Sequence, residues 1–199
     1  MSDTFFVAGE PRIEARFEPA DGEAIGAVVV CHPHPLYGGD MDNYVVVALS
    51  GRLRSSGLSV LRFNFRGTGS SGGSHDGKAE VEDVQRALEW VRDNGGVGDR
   101  MGLAGYSFGA MVAAGAASGA RAFVAVSPPA PGPLPDVATL LIVGGEDQYA
   151  PPEAWQPSVD AARDARLVRI AGTDHFWGRG LREMADEAAE FFIEELRGG

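Results

Sequence analysis

The chain has 199 residues, of which 44% are apolar, and a formal net charge of −11. This length and composition can bury one core without disulfides, which predicts a single domain over residues 1–199. Nucleic acid and anionic membranes are disfavoured as partners, because both need a basic surface. No apolar run is long enough to span a bilayer, and the single cysteine, Cys31, suits a reducing compartment, so we expect a cytoplasmic protein.

The N-terminal half predicts a hairpin followed by alternating strands and helices. Residues 12–17 alternate apolar and charged side chains, and together with the short apolar run 5–8 they are typical of an antiparallel pair. The Val-rich run 27–31 indicates a strand buried on both faces of a parallel sheet. The elements expected next are a helix capped by Asp40 or Asp42 and ending before Gly57, a strand at 58–65 and a helix at 79–94.

The C-terminal half continues the alternation. We expect strands at 101–106, 122–127, 139–143 and 166–170, and helices at 108–118 and 152–163. A terminal amphipathic helix should turn five apolar side chains inward, namely Leu181, Met184, Ala188, Phe192 and Leu196. Regular alternation of this kind predicts an α/β fold with a doubly wound, mostly parallel sheet and an N-terminal antiparallel hairpin. Its last strand, 166–170, would be an exposed edge through which a homodimer could form.

Gly105-Tyr-Ser-Phe-Gly109 is the stretch that points to chemistry. It fits the pattern G-x-S-x-G and lies where a strand ends and a helix begins, so the turn would present the Ser107 hydroxyl as a nucleophile. The segment Gly69-Ser-Ser-Gly-Gly73 fits the same pattern around Ser71. It has no strand directly before it and no helix directly after it, so we interpret it as a loop.

A serine nucleophile needs a general base and a carboxylate that orients the base. His175, which follows the strand 166–170, is the candidate base. Two adjacent acids follow the preceding strand, and we choose Asp147 as the orienting carboxylate and keep Glu146 as the reserve acid. Reactive groups gather at the carboxyl ends of strands in open α/β sheets, which favours this set. Ser74-His75-Asp76 spells the three residue types, but consecutive side chains cannot converge on one point.

The segment from Gly144 to Pro151 resembles the acid turn of the α/β-hydrolase fold, and the chain order Ser107, Asp147, His175 is also that of the family. The loop 62–73 is similar to the loop after the equivalent strand of small bacterial hydrolases. Residues 128–137 are too few for the lid domain that larger members insert, so the resemblance implies a lidless fold with an open site.

The oxyanion hole requires two N–H donors. Phe108, directly after the nucleophile, would supply one. By resemblance to the family, the second comes from the loop after the first central strand, where His34 is the choice and Leu36 the alternative, since Pro33 and Pro35 have no N–H. Two histidines without an acidic or thiol partner nearby do not favour a metal site, so we expect the side chains of His32 and His34 to hold the loop.

These residues predict a serine hydrolase that cleaves small carboxylic esters without a cofactor or metal. Thioesters and activated amides would use the same groups, and a non-catalytic binding scaffold is the alternative of another class. Residues 67–72 fit the dinucleotide-binding pattern, but no helix follows them directly, so cofactor binding there is disfavoured. A reactive thiol at Cys31 is also disfavoured, because a single cysteine at a strand end is the whole evidence for it. Five loop aromatics are candidates for contact with the substrate: Tyr37, Tyr106, Trp155, Phe176 and Trp177.

Overall fold

The computed structural model describes residues 3–197, which form one eight-stranded sheet and five α-helices. The strands are β1 Thr4–Val7, β2 Ile13–Glu18, β3 Gly26–Cys31, β4 Leu58–Phe63, β5 Met101–Tyr106, β6 Ala122–Val126, β7 Ala138–Gly144 and β8 Ala165–Ile170. Their order across the sheet is β1-β2-β4-β3-β5-β6-β7-β8. β1, β2 and β4 pair antiparallel, and every pair from β4 to β8 is parallel. The doubly wound sheet with an N-terminal hairpin is therefore as predicted.

The helices cover both faces of the sheet. They are α1 Tyr44–Ser55, α2 Glu80–Asn94, α3 Phe108–Ala114, α4 Pro152–Ala161 and α5 Leu181–Arg197. α1 and α5 pack on one face and α2, α3 and α4 on the other, which gives two apolar cores. The strands β3 to β6 are buried throughout, because helices cover them on both sides. This explains why their sequences are nearly continuous apolar runs.

Some element ends differ from those predicted. Asn43, not Asp40 or Asp42, caps α1, since its side chain accepts the Val45 N–H at 3.0 Å. Asp42 instead pairs with two arginines of the sheet. β4 ends at Phe63, and α3 ends at Ala114 and is followed by a 3₁₀ turn at Ala117–Gly119. A run of alanine and glycine has little side-chain packing to prolong a helix, which is consistent with the early end.

The carboxyl ends of β5, β7 and β8 lie along the same edge of the sheet, because these strands are parallel. The loops that follow them carry Ser107, Asp147 and His175. The connection between β6 and β7, residues 127–137, contains no helix. Within residues 3–197, no helix combines the length and the apolar character that crossing a bilayer requires.

Candidate active site

Ser107 lies in a strained turn between β5 and α3. Its backbone has φ 53° and ψ −119°, a conformation that residues other than glycine rarely adopt. At the two flanking positions only glycine fits, because a side chain would clash with neighbouring backbone. A Cβ on Gly105 would lie 2.5 Å from the Ala110 nitrogen, and a Cβ on Gly109 would lie 2.4 Å from the His32 carbonyl oxygen. The pattern G-x-S-x-G therefore has a steric cause here, and the turn leaves the serine partly exposed.

The structure brings Ser107, His175 and Asp147 into one hydrogen-bonded chain. The Ser107 Oγ lies 3.0 Å from His175 Nε2, and His175 Nδ1 lies 2.9 Å from Asp147 Oδ2. The other carboxylate oxygen of Asp147 accepts the N–H groups of Tyr149 at 3.0 Å and Ala150 at 3.2 Å. With the carboxylate as acceptor, Nδ1 carries the proton, and Nε2 is free to accept the proton of the serine hydroxyl.

The environment of Asp147 favours its ionised form. Burial alone would raise the pKa of this carboxyl, but the hydrogen bond and charge of His175 and the Ala150 N–H outweigh burial and hold the pKa below its usual value. Ser127, at the end of β6, is fully buried nearby with a positive φ of 40°. Its hydroxyl has no well-aligned hydrogen-bond partner among residues 3–197, so we attribute the lowered pKa to His175 and Ala150.

Two residues next to this hydrogen-bonded chain make other contacts. The reserve acid, Glu146, is exposed, and its side chain makes no hydrogen bond or ion pair within the described part of the chain. Its backbone N–H donates to the Thr173 carbonyl at 2.9 Å, which joins the acid loop to the histidine loop. Tyr106 is buried, and its hydroxyl donates to the His175 carbonyl at 2.9 Å. This residue therefore supports the backbone of the base.

Two unpaired N–H groups lie in the segments expected to form the oxyanion hole. Neither the His34 nor the Phe108 amide donates a hydrogen bond to any group in residues 3–197, and their rings are in contact at 4.9 Å. The Leu36 amide donates to His34 Nδ1 at 3.2 Å. The Leu36 N–H is thus already engaged, whereas the His34 and Phe108 N–H groups have no acceptor among residues 3–197, and their role as oxyanion donors stays a prediction.

His32 and His34 both hold the loop after β3. His32 is fully buried. Its Nε2 accepts the Phe65 N–H at 3.0 Å, and its Nδ1 donates to the Pro33 carbonyl at 2.7 Å. Burial lowers the pKa of His32 to about 4, so the ring is neutral near pH 7. His34 caps the 3₁₀ turn Pro35–Tyr37. The expected structural role of both side chains is confirmed by these contacts.

The second G-x-S-x-G segment is structural. The Ser71 Oγ accepts the Glu14 N–H at 2.9 Å and donates to the Asn64 carbonyl at 2.6 Å, which ties the loop to the hairpin. His75 lies in the same loop and its Nδ1 bonds to the buried carboxylate of Glu80 at 2.6 Å. The Ser71 hydroxyl and the His75 imidazole therefore both stabilise the loop, which agrees with the interpretation of this segment as a loop.

Cys31 ends β3 and is fully buried. Burial, reinforced by the charge of Asp83, raises the pKa of its thiol above the usual value. A buried thiol that resists ionisation is a poor nucleophile, which favours a packing role for this residue.

A cleft of about 280 Å³ opens beside His175. Of the five candidate aromatics, Phe176 lines it, whereas Tyr37 is exposed outside it with its ring 5.0 Å from the His34 ring. Trp155 and Trp177 are buried in the two cores, so neither can touch a substrate in this cleft. Sequence reasoning missed Tyr149, an exposed cleft residue whose ring lies 4.6 Å from the His175 ring. The sequence signal that could have pointed to Tyr149 is its position two residues after the candidate acid, Asp147.

Solved structures of related proteins have the same fold. An α/β serine hydrolase homologue from Coxiella burnetii is 32% identical with a TM-score of 0.86, over 96% of this chain and 97% of that one. An α/β serine hydrolase without a lid from Xanthomonas campestris is 30% identical with a TM-score of 0.87, over 97% of this chain and 94% of that one. This protein is a serine hydrolase of the α/β-hydrolase fold, and the predicted lidless fold class is confirmed.

The sequence comparison gives the family. Residues 15–145, more than half of the chain, match the family described as X-Pro dipeptidyl-peptidase (S15 family), and the chain belongs to that family. An uncharacterized protein of Rickettsia prowazekii is 31% identical in an alignment 215 residues long, gaps included, that covers 97% of this chain and 89% of the relative. The fold, the family and the site geometry therefore agree on a hydrolase.

Proposed function

We propose that this protein hydrolyses small carboxylic esters through an acyl-serine intermediate. The observation that carries the proposal is the unbroken hydrogen-bonded chain from Ser107 through His175 to Asp147. Such a chain can remove the hydroxyl proton as the oxygen attacks a carbonyl carbon. The strained turn at Ser107 supports the same role, because strain of this kind is retained where function needs it.

In the first half of the proposed reaction, the Ser107 oxygen bonds to the ester carbonyl carbon while His175 Nε2 takes the hydroxyl proton. The Asp147 carboxylate stabilises the imidazolium that results. The amides of His34 and Phe108 donate to the carbonyl oxygen as it becomes negative. The bond from carbon to the alkoxy oxygen then breaks, and the proton on Nε2 passes to the departing alcohol.

The second half repeats these steps with water in place of the serine hydroxyl. His175 takes a proton from water as the water oxygen bonds to the acyl carbon. The bond to the Ser107 oxygen then breaks and the serine regains its proton, which releases the carboxylic acid. The cleft beside His175 is open to solvent, so water can reach the acyl-enzyme on the side of the base.

Release of an X-Pro dipeptide, by cleavage of the amide bond that follows proline, is the second candidate, and the family match is what favours it. The same groups would act on an amide carbonyl. A thioester is a third acyl substrate on which the same three side chains could act. Turnover of p-nitrophenyl acetate, Ala-Pro p-nitroanilide and an acyl thioester by the same preparation separates these activities. We expect the ester to give the highest kcat/KM, and a higher value for the anilide would favour the peptidase.

The direct test is labelling with a fluorophosphonate, read by intact mass. We expect one adduct on the native chain and none on Ser107→Ala. Ser71→Ala is the matched control, because it removes the serine of the other G-x-S-x-G segment, and it should label like the native protein. Absence of an adduct on folded native protein would contradict the proposal and favour a non-catalytic binding scaffold.

Kinetics provide the quantitative form of the test. Ser107→Ala and His175→Ala should each lower ester kcat/KM by about 10⁴-fold or more, since both belong to one proton-transfer unit. Far-UV circular dichroism and thermal unfolding would show that both variants are folded. Rates close to those of the native protein in either variant would exclude this assignment of the nucleophile or the base.

A further inference from the structure

The cleft beside His175 has two large aromatic side chains in its wall, Tyr149 and Phe176. Tyr149 is 61% exposed and Phe176 is 55% exposed, although the neighbouring His175 is buried. Leaving two rings in water next to a reactive group gives up the stabilisation that burial would provide. Apolar surface that is exposed in this way, at the entrance of a site, commonly serves to bind a ligand.

The three rings around the cleft have a defined arrangement. The ring centroids of Tyr149 and Phe176 lie 4.6 and 5.6 Å from that of His175. Tyr149 and Phe176 are 6.0 Å apart with their planes at 88°. The two rings are therefore in edge-to-face contact with each other, and a flat ring of a substrate could pack against their exposed faces, by offset stacking on one and with its edge toward the other.

Hydrogen bonds with neighbouring side chains fix the backbone that carries both rings before any substrate binds. The Tyr149 N–H donates to Asp147 Oδ1 at 3.0 Å, and the Phe176 N–H donates to Asp174 Oδ1 at 3.0 Å. The Tyr44 hydroxyl donates to the Phe176 carbonyl oxygen. Because the cleft is preformed, binding to it does not have to order either backbone segment, and this lowers the cost of recognition.

The position of the cleft identifies which part of an ester it would hold. His175 Nε2 delivers its proton to the departing alkoxy oxygen, so the alcohol part must lie on the side of His175. The carbonyl oxygen must point instead toward the amides of His34 and Phe108. The group attached to the alkoxy oxygen therefore extends along Tyr149 and Phe176. This assignment rests on the proposed esterase function.

We propose that the Tyr149–Phe176 cleft binds the alcohol part of the substrate and that this part carries an uncharged aromatic ring. The rings select a flat, apolar group by stacking. Asp174 lines the same cleft, and the chain carries a net charge of −11, so an anionic alcohol part is disfavoured. The reaction then releases an aromatic alcohol and leaves the acyl group on Ser107 for hydrolysis by water.

The test compares benzyl acetate with cyclohexylmethyl acetate. Both are acetates of primary alcohols with similar size, and they differ in whether the ring is flat. Each kcat/KM is divided by the rate of hydroxide-catalysed hydrolysis of the same ester, which removes differences in intrinsic reactivity. We expect the native protein to prefer benzyl acetate by about 3- to 10-fold, the range that aromatic pairing supplies.

Tyr149→Leu and Phe176→Leu keep an apolar side chain and remove the ring, so each should bring the ratio of the two esters close to one. Phe6→Leu is the matched control, because Phe6 is an exposed aromatic on β1 at the opposite edge of the sheet, and it should keep the native ratio. Both substitutions in the cleft are at exposed positions, and we expect them to fold normally.

Three results would overturn the inference, and the last of them is distinguishable from the first two. If native protein hydrolyses both acetates at equal corrected rates, or if the leucine variants keep the preference, the aromatic cleft does not recognise the alcohol. If native protein neither hydrolyses the acetates nor reacts with a fluorophosphonate, the proposed esterase function itself fails and the cleft assignment fails with it.

Discussion

The hydroxyl of Tyr106 donates a 2.9 Å hydrogen bond to the carbonyl oxygen of His175. Tyr106 is the last residue of β5 and directly precedes Ser107, so one peptide bond and one hydrogen bond connect Ser107 with the backbone of His175. Burial raises the pKa of the Tyr106 hydroxyl, which keeps it a neutral donor. The distance between Ser107 and His175 is therefore maintained by the Tyr106 hydrogen bond as well as by their own hydrogen bond.

Tyr106→Phe tests this support. The change removes the donor and leaves the His175 carbonyl without it, so we expect a loss of about 1 to 3 kcal/mol in the free energy of unfolding. Since a small displacement of the base weakens proton transfer, kcat should fall by about tenfold or more. Urea unfolding and ester kinetics measure the two effects. An unchanged kcat would show that the loop holds His175 without Tyr106.

Asp147→Asn tests the choice between two adjacent acids. An amide can present the wrong hydrogen-bonding group to His175 Nδ1, so ester kcat should fall by about 10³- to 10⁴-fold while the fold is retained. Glu146→Gln is the matched control, and its exposed side chain predicts kcat/KM within about twofold of native. The reverse pattern, with the larger loss in Glu146→Gln, would transfer the role to the reserve acid.

Gly109→Ala tests the packing of α3 against the loop after β3. The added Cβ would lie 2.4 Å from the His32 carbonyl oxygen, so α3 must move away and the amides of Phe108 and His34 must separate. We expect kcat to fall by about 100-fold, comparable to the loss of one oxyanion donor. Thermal unfolding should show destabilisation by about 1 to 3 kcal/mol.

Gly51→Ala is the contrasting glycine substitution. Gly51 lies on the exposed side of α1 with no atom within 4 Å of its added Cβ. Alanine there should raise the free energy of unfolding by about 0.5 to 1 kcal/mol, because it restricts the unfolded chain and suits a helix. Activity should be unchanged. If the two glycine variants behave alike, the steric reason given for Gly109 is wrong.

His32 predicts a dependence of stability on pH. Its pKa is about 4 in the folded protein and 6.5 as the ordinary value, so between these values the unfolded chain binds the additional proton. Stability therefore falls as the pH drops from 6.5 toward 4, and His32 alone should cost about 2 kcal/mol between pH 7 and pH 5. Urea unfolding of the native protein and of His32→Gln at both pH values isolates this contribution. Equal losses in the two proteins would contradict it.

The order of strands and helices could be predicted from the sequence because hydrophobic periodicity and burial determine it. The same reasoning placed Ser107, Asp147 and His175 at three strand ends, and the structure joins them by hydrogen bonds. Their catalytic roles are still predictions. Helix and strand ends were less predictable, as the Asn43 cap shows, since several polar residues near a helix start can compete for the capping position.

The wall of the cleft could be predicted only in part, since Phe176 was a candidate but the exposure of each ring depends on how loops turn. Trp177 has a φ of 57°, and it is buried while the adjacent Phe176 is exposed. Nothing in the order Phe-Trp indicates which ring faces solvent. Tyr149 was missed for the same reason, since its exposure follows from the turn at Asp147 and not from any periodic pattern.

The short connection between β6 and β7 has a consequence for turnover. A covering segment has to move aside for substrate to enter and again for product to leave, and such gating motions often limit the rate of an enzyme. In this protein residues 127–137 form no helix over the site, and Ser107 is partly exposed in the resting state. If Ser107 is the nucleophile, no helix from this connection has to move before a substrate reaches it or before a product leaves it.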